Sequence, residues 1–199
     1  MLLPDGDYVI GSREELLHAK GDRVHNPALG IVDALRPLAD GLKADPGPDL
    51  AMVFFLEVYG HRIGGAAKQY TAAGNVSHRM FDLAFVPVEV LGWERDRIAA
   101  WREGGGQTWA AESALQRAAD VEGIELTPRL GTLSGAELPT GIGAIHALLE
   151  ERLPGTLVAL DENAGRRPEG IVLRDGGRRV IAKARYQDYE RTLKRRGTR

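Results

Sequence analysis

The sequence contains no cysteine among its 199 residues, which excludes disulfide bonds, thiolate metal sites and cysteine nucleophiles. It has no run of about 18 uncharged apolar residues, the length that a helix needs to cross a bilayer. The first residues, Met1–Gly6, lack the charged and apolar regions of a secretory signal peptide. These absences predict a cytoplasmic protein without a membrane partner.

Lysine is also scarce, because only five of the 26 basic residues are lysines: Lys20, Lys43, Lys68, Lys183 and Lys194. The formal net charge is −2, yet residues 166–199 carry 12 Lys/Arg and 4 Asp/Glu, or +8, and the preceding residues carry −10. A basic terminal sixth on an acidic body favours local contact with phosphates. A solvated arginine-rich helix explains the same pattern, so both interpretations stay open.

The hydrophobic pattern predicts a mixed α+β fold with antiparallel strand pairing. Turn and cap residues divide the chain into short elements without an internal repeat. The predicted strands cover 7–12, 51–59, 80–90, 170–174 and 178–183. The predicted helices cover 13–19 (with Ser12 as N-cap), Asn26–Leu42, 95–102, 108–120, 143–153 and a terminal segment from about Gln187.

Three predicted strands carry a carboxylate where an apolar residue is expected. Glu57 lies inside an apolar run, Asp82 follows Phe81, and Glu169 opens the 170–174 strand. Burying a carboxylate is costly unless it is ion-paired or binds a ligand. The pattern therefore indicates either a ligand site or a structural network of ion pairs.

Three cations accompany these carboxylates in the predicted hairpin: Arg174, Lys183 and Arg185. Because side chains alternate along a strand, Lys183 and Arg185 are expected on one face. Carboxylates on one side of a cleft and cations on the other suit a nucleotide and its metal ion.

Four sequence blocks in this order resemble motifs of the covalent nucleotidyltransferases, the superfamily of ATP-dependent DNA and RNA ligases and mRNA capping enzymes. Phe55–Gly60 resembles motif III, and Met80–Leu83 resembles motif IIIa. Glu169–Arg174 resembles motif IV, and Ala182–Arg185 resembles motif V. Gly11-Ser12-Arg13 is similar to the Ser-Arg segment that the ligases carry after their nucleophile. Among the superfamily, the sequence is most similar to RNA ligases of the nick-sealing phage type.

This resemblance implies one nucleotidyltransferase (adenylation) domain over residues 1–199, with antiparallel sheets flanked by helices in an ATP-grasp-like arrangement. The implied cofactors are ATP, as AMP donor, and Mg²⁺ or Mn²⁺. The implied reaction forms a lysyl-AMP, transfers AMP to a 5′-phosphate and seals the strand with a 3′-hydroxyl. The implied partners are RNA ends, and the sequence does not distinguish them from DNA ends or indicate an oligomeric state.

The resemblance also assigns roles to individual residues. Glu57 is implied to bind the ribose hydroxyls and Phe81 to stack on adenine. Glu169 is implied to hold the metal, while Lys183 and Arg185 neutralise the α-phosphate and the leaving pyrophosphate. Many relatives have lysine where this chain has Arg185, which keeps the charge and changes its geometry.

Two further arginines receive a nucleotide-binding role from the resemblance. Arg174 is expected to contact the nucleotide, and Arg13 the nucleotide or the RNA end. Simpler interpretations exist for three of the assigned residues: an ion pair for Glu57, a core position for Phe81 and a surface cap for Arg13.

The motif I lysine, which attacks ATP in this family, is missing from the sequence as it stands. Lys43 comes closest to the pattern, but Pro46 interrupts it, and Lys20 lies in the wrong order after Arg13. We expect the chain to start after motif I and to leave no room for a C-terminal accessory domain. Three interpretations follow: a ligase with motif I upstream, a non-catalytic nucleotide- or RNA-end-binding module, and a structural protein-interaction domain.

Overall fold

A computed structural model describes residues 1–19 and 30–197 of the chain. The fold is mixed α+β, as predicted, and no helix in the described ranges is both long and apolar enough to span a bilayer. The strands are β1 (Val9–Gly11), β2 (Leu16–Ala19), β3 (Leu50–Gly60), β4 (Val76–Pro87), β5 (Thr108–Trp109), β6 (Gly170–Arg174) and β7 (Ile181–Arg185). The α-helices are α1 (Ile31–Asp40), α2 (Ala67–Tyr70), α3 (Arg95–Glu103), α4 (Glu112–Glu122), α5 (Ile142–Arg152) and α6 (Tyr186–Gly197), with 3₁₀ turns at Val88–Gly92 and Gly135–Glu137.

The chain divides into two compact units. The first unit comprises Met1–Val58 and Ser77–Thr127, and the second comprises Tyr59–Val76 and Pro128–Arg199. The first unit has 10 Lys/Arg and 19 Asp/Glu, a formal charge of −9, whereas the second has 16 and 9, a formal charge of +7. The charge asymmetry of the sequence therefore coincides with the division of the structure.

The first unit is built on a three-stranded sheet in the order β3-β4-β5. β5 runs antiparallel to β4, with Trp109 opposite Ala84. Met80, Leu83 and Leu115 are almost completely buried and join strand residues to helix α4 in one hydrophobic core. Burial of such side chains stabilises a fold by about 1.5–3 kcal/mol each.

The second unit is organised around the antiparallel β6–β7 hairpin. Ala184 on β7 packs with Leu149 of α5 and Tyr186 of α6 in a buried cluster. The Tyr186 hydroxyl lies 2.6 Å from the carbonyl oxygen of Leu149 and 2.8 Å from that of Leu153, so it satisfies carbonyls at the end of α5. These contacts hold one face of the hairpin against the two helices.

The predicted helix over 13–19 is wrong, because residues 16–19 form β2 and pair with β1. The Ser12 hydroxyl accepts hydrogen bonds from the N–H groups of Glu14 and Glu15 at 3.3 and 3.1 Å. The Ser12 N–H donates to the Glu15 carbonyl at 2.8 Å, which closes a tight turn instead of starting a helix. The chain then returns, and Leu17 and His18 become buried.

Three other element boundaries differ from the prediction. The 108–120 helix starts only at Glu112, because the Ala110 N–H continues the sheet by donating to the Leu83 carbonyl at 2.9 Å. The strand predicted over 80–90 ends at Pro87 and a 3₁₀ turn follows. Helix α1 is confirmed from Ile31, while its predicted start at Asn26 lies outside the described residues.

A carboxylate fixes the loop between α2 and β4 in the second unit. Asp161 accepts hydrogen bonds from the Thr71 hydroxyl at 2.6 Å and from the N–H groups of Ala72 and Ala73 at 2.9 and 3.1 Å. Thr71 is buried, and its hydroxyl oxygen accepts hydrogen bonds from the N–H groups of Gly74 and Asn75 at 3.0 Å each. The hydrogen bond from Thr71, followed by those from the backbone, holds the pKa of Asp161 below its ordinary value of 3.8.

Replacing Asp161 by asparagine should make the stability of the second unit less dependent on pH in the acid range. A carboxyl group with a lowered folded-state pKa contributes stability above about pH 3.8, and this contribution is lost as the pH falls through the folded-state value. Urea titrations monitored by circular dichroism should show a clear loss of stability for Asp161→Asn at pH 7 and a smaller loss at pH 3. Glu162→Gln is the neighbouring control, and an equal loss for Asp161→Asn at both pH values would contradict the prediction.

Candidate functional site

The seven residues assigned by sequence fall into two groups, one in each unit. The first unit contains Arg13, Glu57 and Phe81, and the second contains Glu169, Arg174, Lys183 and Arg185. Each group is described below within its own unit.

One face of the β6–β7 hairpin carries all three predicted cations. Directly opposite residues of an antiparallel pair share a face, as do alternate residues of one strand. Arg174, Lys183 and Arg185 therefore project from the same side, which confirms the prediction for Lys183 and Arg185. Their cross-strand partners are, in the same order, Ile181, Val172 and Gly170.

This outer face of the hairpin is exposed, in contrast to the face that packs on α5 and α6. Lys183 and Arg185 are exposed, and their side chains make no hydrogen bond or ion pair with any residue of the described ranges. Val172 and Ile181, which lie diagonally across the same face, are 54% and 59% exposed. The result is a surface on which cations and aliphatic side chains alternate, available to an anionic ligand.

Glu169 lies at the end of the hairpin where Arg185 is found. Its carbonyl accepts the Tyr186 N–H at 3.0 Å, and the next residue, Gly170, pairs with Arg185. The expectation that Glu169 is a buried strand residue is wrong: it precedes β6, directly after the buried Pro168, and its side chain is exposed.

In the first unit, Phe81 lies in an aromatic cluster on one face of the sheet. Its ring centroid is 6.0 Å from that of Phe55, which in turn lies 5.2 Å from that of Trp109. Phe81 is 37% exposed, so the interpretation as a plain core residue does not hold. Glu57 follows Phe55 by two positions on β3 and projects from the same face.

The expectation of buried carboxylates is wrong for Glu57 as well, because its side chain is exposed. Asp82 is the member of the predicted trio that is buried, at 3% exposure, and it accepts the Leu83 N–H at 3.1 Å. Arg13 is exposed in the tight turn of residues 12–15. The geometry thus offers Glu57 and Phe81 as neighbours on one sheet surface.

The described residues contain no group of three or more His, Asp or Glu side chains placed to hold a metal ion among themselves. Mg²⁺ in nucleotide sites is bound through one or two carboxylates together with substrate phosphates, so a single carboxylate is a fitting donor. Glu169 is an exposed carboxylate of the second unit.

Sequence reasoning missed a cavity of about 320 Å³ in the second unit, lined by Glu150, Pro154, Arg167, Pro168, Tyr186 and Glu190. Arg167 and Glu190 form an ion pair of 2.5 Å. Burial, and then the charges of Glu150 and Glu190, raise the pKa of the Tyr186 phenol. No sequence signal indicated this cavity, because its lining comes from segments that are far apart in the chain.

Comparison with known proteins adds no relative: no family model matches the sequence, and neither a curated protein nor a solved structure matches it.

Proposed function

We propose that this chain is a nucleotide-binding adenylation domain of the ATP-dependent RNA ligase type. The observation that carries the proposal is the outer face of the β6–β7 hairpin, where Arg174, Lys183 and Arg185 project from one side and Glu169 lies at the Arg185 end. Each unit supports the proposal separately.

The second unit supports binding of the phosphates. Lys183 and Arg185 are two residues apart on β7, about 6.6 Å along the strand, so both can face one polyphosphate chain. Cations placed in this way stabilise the charge that develops on a transferring phosphoryl group and its leaving group. A divalent ion held by Glu169 and the phosphates would supply further neutralisation.

The first unit supports binding of the nucleoside. Phe81 presents an exposed ring that Phe55 supports from the side, and base stacking on such a ring contributes roughly 1–3 kcal/mol. Glu57 projects from the same sheet face and offers acceptors for the ribose hydroxyls. The exposure of Glu57, which contradicted the expected burial, and the exposure of Phe81 are what a ligand contact requires.

Calorimetric titration of the chain with ATP and Mg²⁺ tests the proposal. Lys183→Ala and Glu57→Ala should each weaken ATP binding by about tenfold or more, because each removes a charged hydrogen-bonding partner. Lys68→Ala is the matched control for Lys183, since Lys68 is an exposed lysine of the same unit. Unchanged ATP binding in both site variants would refute the assignment.

A second candidate function is a non-catalytic module that binds nucleotides or RNA ends. It accounts for the exposed Lys183 and Arg185 side chains, which can bind phosphates without a covalent step. Incubation of the same samples with radiolabelled ATP tests whether any lysine of the given sequence becomes adenylated. We expect binding without covalent labelling of this chain, whereas label on Lys43 would show that it is the nucleophile.

A further inference from the structure

We infer that the tip of the β6–β7 hairpin, residues Asp175–Ile181, is a docking element for the backbone of a polynucleotide strand. This inference rests on the proposed function and extends it, because it assigns the bulk of the substrate to residues outside the four motifs.

The tip is a structured loop. The Asp175 carboxylate accepts the Val180 N–H at 3.0 Å and the Arg179 Nε–H at 3.2 Å, and the Asp175 N–H donates to the Val180 carbonyl at 3.1 Å. Arg178 has a φ of 58° and donates from its guanidinium to the Gly176 carbonyl. The acidic residue of the tip is thus engaged internally, and two adjacent arginines lie at a defined position, Arg179 exposed and Arg178 partly buried.

The charge of the hairpin matches a polyanion. Residues 174–185 contain five Lys/Arg and one Asp, a formal charge of +4 within a unit of +7. The Arg179 side chain is 87% exposed, so its ion pair with Asp175 is weak and leaves guanidinium N–H groups in solvent. Lys183 and Arg185 lie at alternate positions of β7, about 6.6 Å apart along the strand. This spacing suits a ligand whose negative charges also repeat.

Exposed aliphatic side chains accompany these cations. Val180 and Ile181 are 65% and 59% exposed, at the point where the tip joins β7. A nucleic-acid strand can contact both kinds of side chain, because its anionic phosphates match the cations and the apolar faces of its bases match the aliphatic groups. A small anion can contact only the cations, so the combination favours a polynucleotide.

The tip lies at the far end of the hairpin from Glu169. β6 has five residues from Gly170 to Arg174, and its two ends are about 13 Å apart. A strand whose end is bound beside Glu169 and Arg185 can therefore continue along the outer face to the tip.

The test compares Arg178→Gln/Arg179→Gln with the unaltered chain by fluorescence anisotropy, using a short 5′-phosphorylated RNA and a DNA of the same sequence. Loss of two phosphate contacts should weaken binding on the order of tenfold and make the slope of log K against log salt shallower by about 1.4. Arg195→Gln/Arg196→Gln is the matched control, because these exposed arginines lie on α6 and α6 packs on the other face of the hairpin.

Loss of affinity in the tip variant alone supports the inference. Loss on RNA and DNA alike indicates contacts to phosphates, and loss on RNA alone indicates additional contacts to the 2′-hydroxyl. Equal loss in both double variants, no loss in the tip variant, or no oligonucleotide binding by the unaltered chain would each overturn it.

A separate ATP titration distinguishes failure of this inference from failure of the proposed function. The tip variant should bind ATP as tightly as the unaltered chain and should keep its circular dichroism spectrum. If the unaltered chain does not bind ATP, the proposed function fails, while the oligonucleotide comparison still reports on the tip.

Discussion

Gly170→Ala should destabilise the second unit by about 3 kcal/mol, because the β6 and β7 backbones leave no room for a methyl group. A Cβ at this position would lie 2.0 Å from the Ala184 carbonyl oxygen and 2.8 Å from the Arg185 Cα. Gly170 also has a φ of 154°, a backbone angle that residues with a side chain rarely adopt. Urea denaturation followed by far-ultraviolet circular dichroism measures the loss.

Gly176→Ala is the matched control for this substitution. It lies in the same hairpin, and a Cβ there would meet no atom of the described residues within 4 Å. We expect its free energy of unfolding to stay within about 0.5 kcal/mol of the unaltered chain. If Gly170→Ala were equally harmless, the close approach of the two strands and the placement of Glu169 would both be wrong.

Leu115→Ala should cost the first unit about 2–5 kcal/mol of stability. Leu115 lies on α4, is 0% exposed and belongs to the core that Met80 and Leu83 also form. Truncating such a side chain loses its transfer free energy and leaves a cavity that the surrounding structure fills only in part. Tryptophan fluorescence during urea denaturation is a suitable measurement, because Trp93, Trp101 and Trp109 all lie in the first unit.

The control for Leu115 comes from the same helix. Val121 is 59% exposed, so Val121→Ala should change the free energy of unfolding by less than about 0.5 kcal/mol. A similar, small effect of both substitutions would show that α4 does not pack its Leu115 side into the core.

The hairpin is the part of the fold that the sequence predicts best, because its signals are local. Asp175-Gly176-Gly177 separates two short runs of apolar and basic residues, and alternation alone places Lys183 and Arg185 on one face. This half of the candidate site could therefore be predicted before the structure.

Exposure of the carboxylates could not be predicted in the same way. An apolar run such as that around Glu57 indicates a buried strand, yet the run does not show which face of the strand other elements cover. Glu169 is misjudged for a different reason: β6 covers 170–174 as predicted, but Glu169 precedes the paired residues and its side chain is exposed.

The helix predicted over 13–19 fails because a local hydrogen bond competes with helix propensity. Ser12 is a good N-cap by composition, but its hydroxyl closes a turn with Glu14 and Glu15 that directs the chain back to β1. Pairing with the neighbouring strand β1 decides whether residues 16–19 form a strand or a helix. The pattern of residues within 13–19 contains no information about that pairing.

Both units are assembled from two stretches of the chain, and this affects how the protein is made and divided. Thr71 leaves the ribosome 90 residues ahead of Asp161, so the loop that it anchors is completed only after Asp161 has been synthesised. A recombinant fragment that ends at Thr127 would retain Tyr59–Val76 without the carboxylate that fixes this segment. Producing the two units as separate polypeptides therefore requires transplanting residues 59–76, because a single cut leaves them in the wrong fragment.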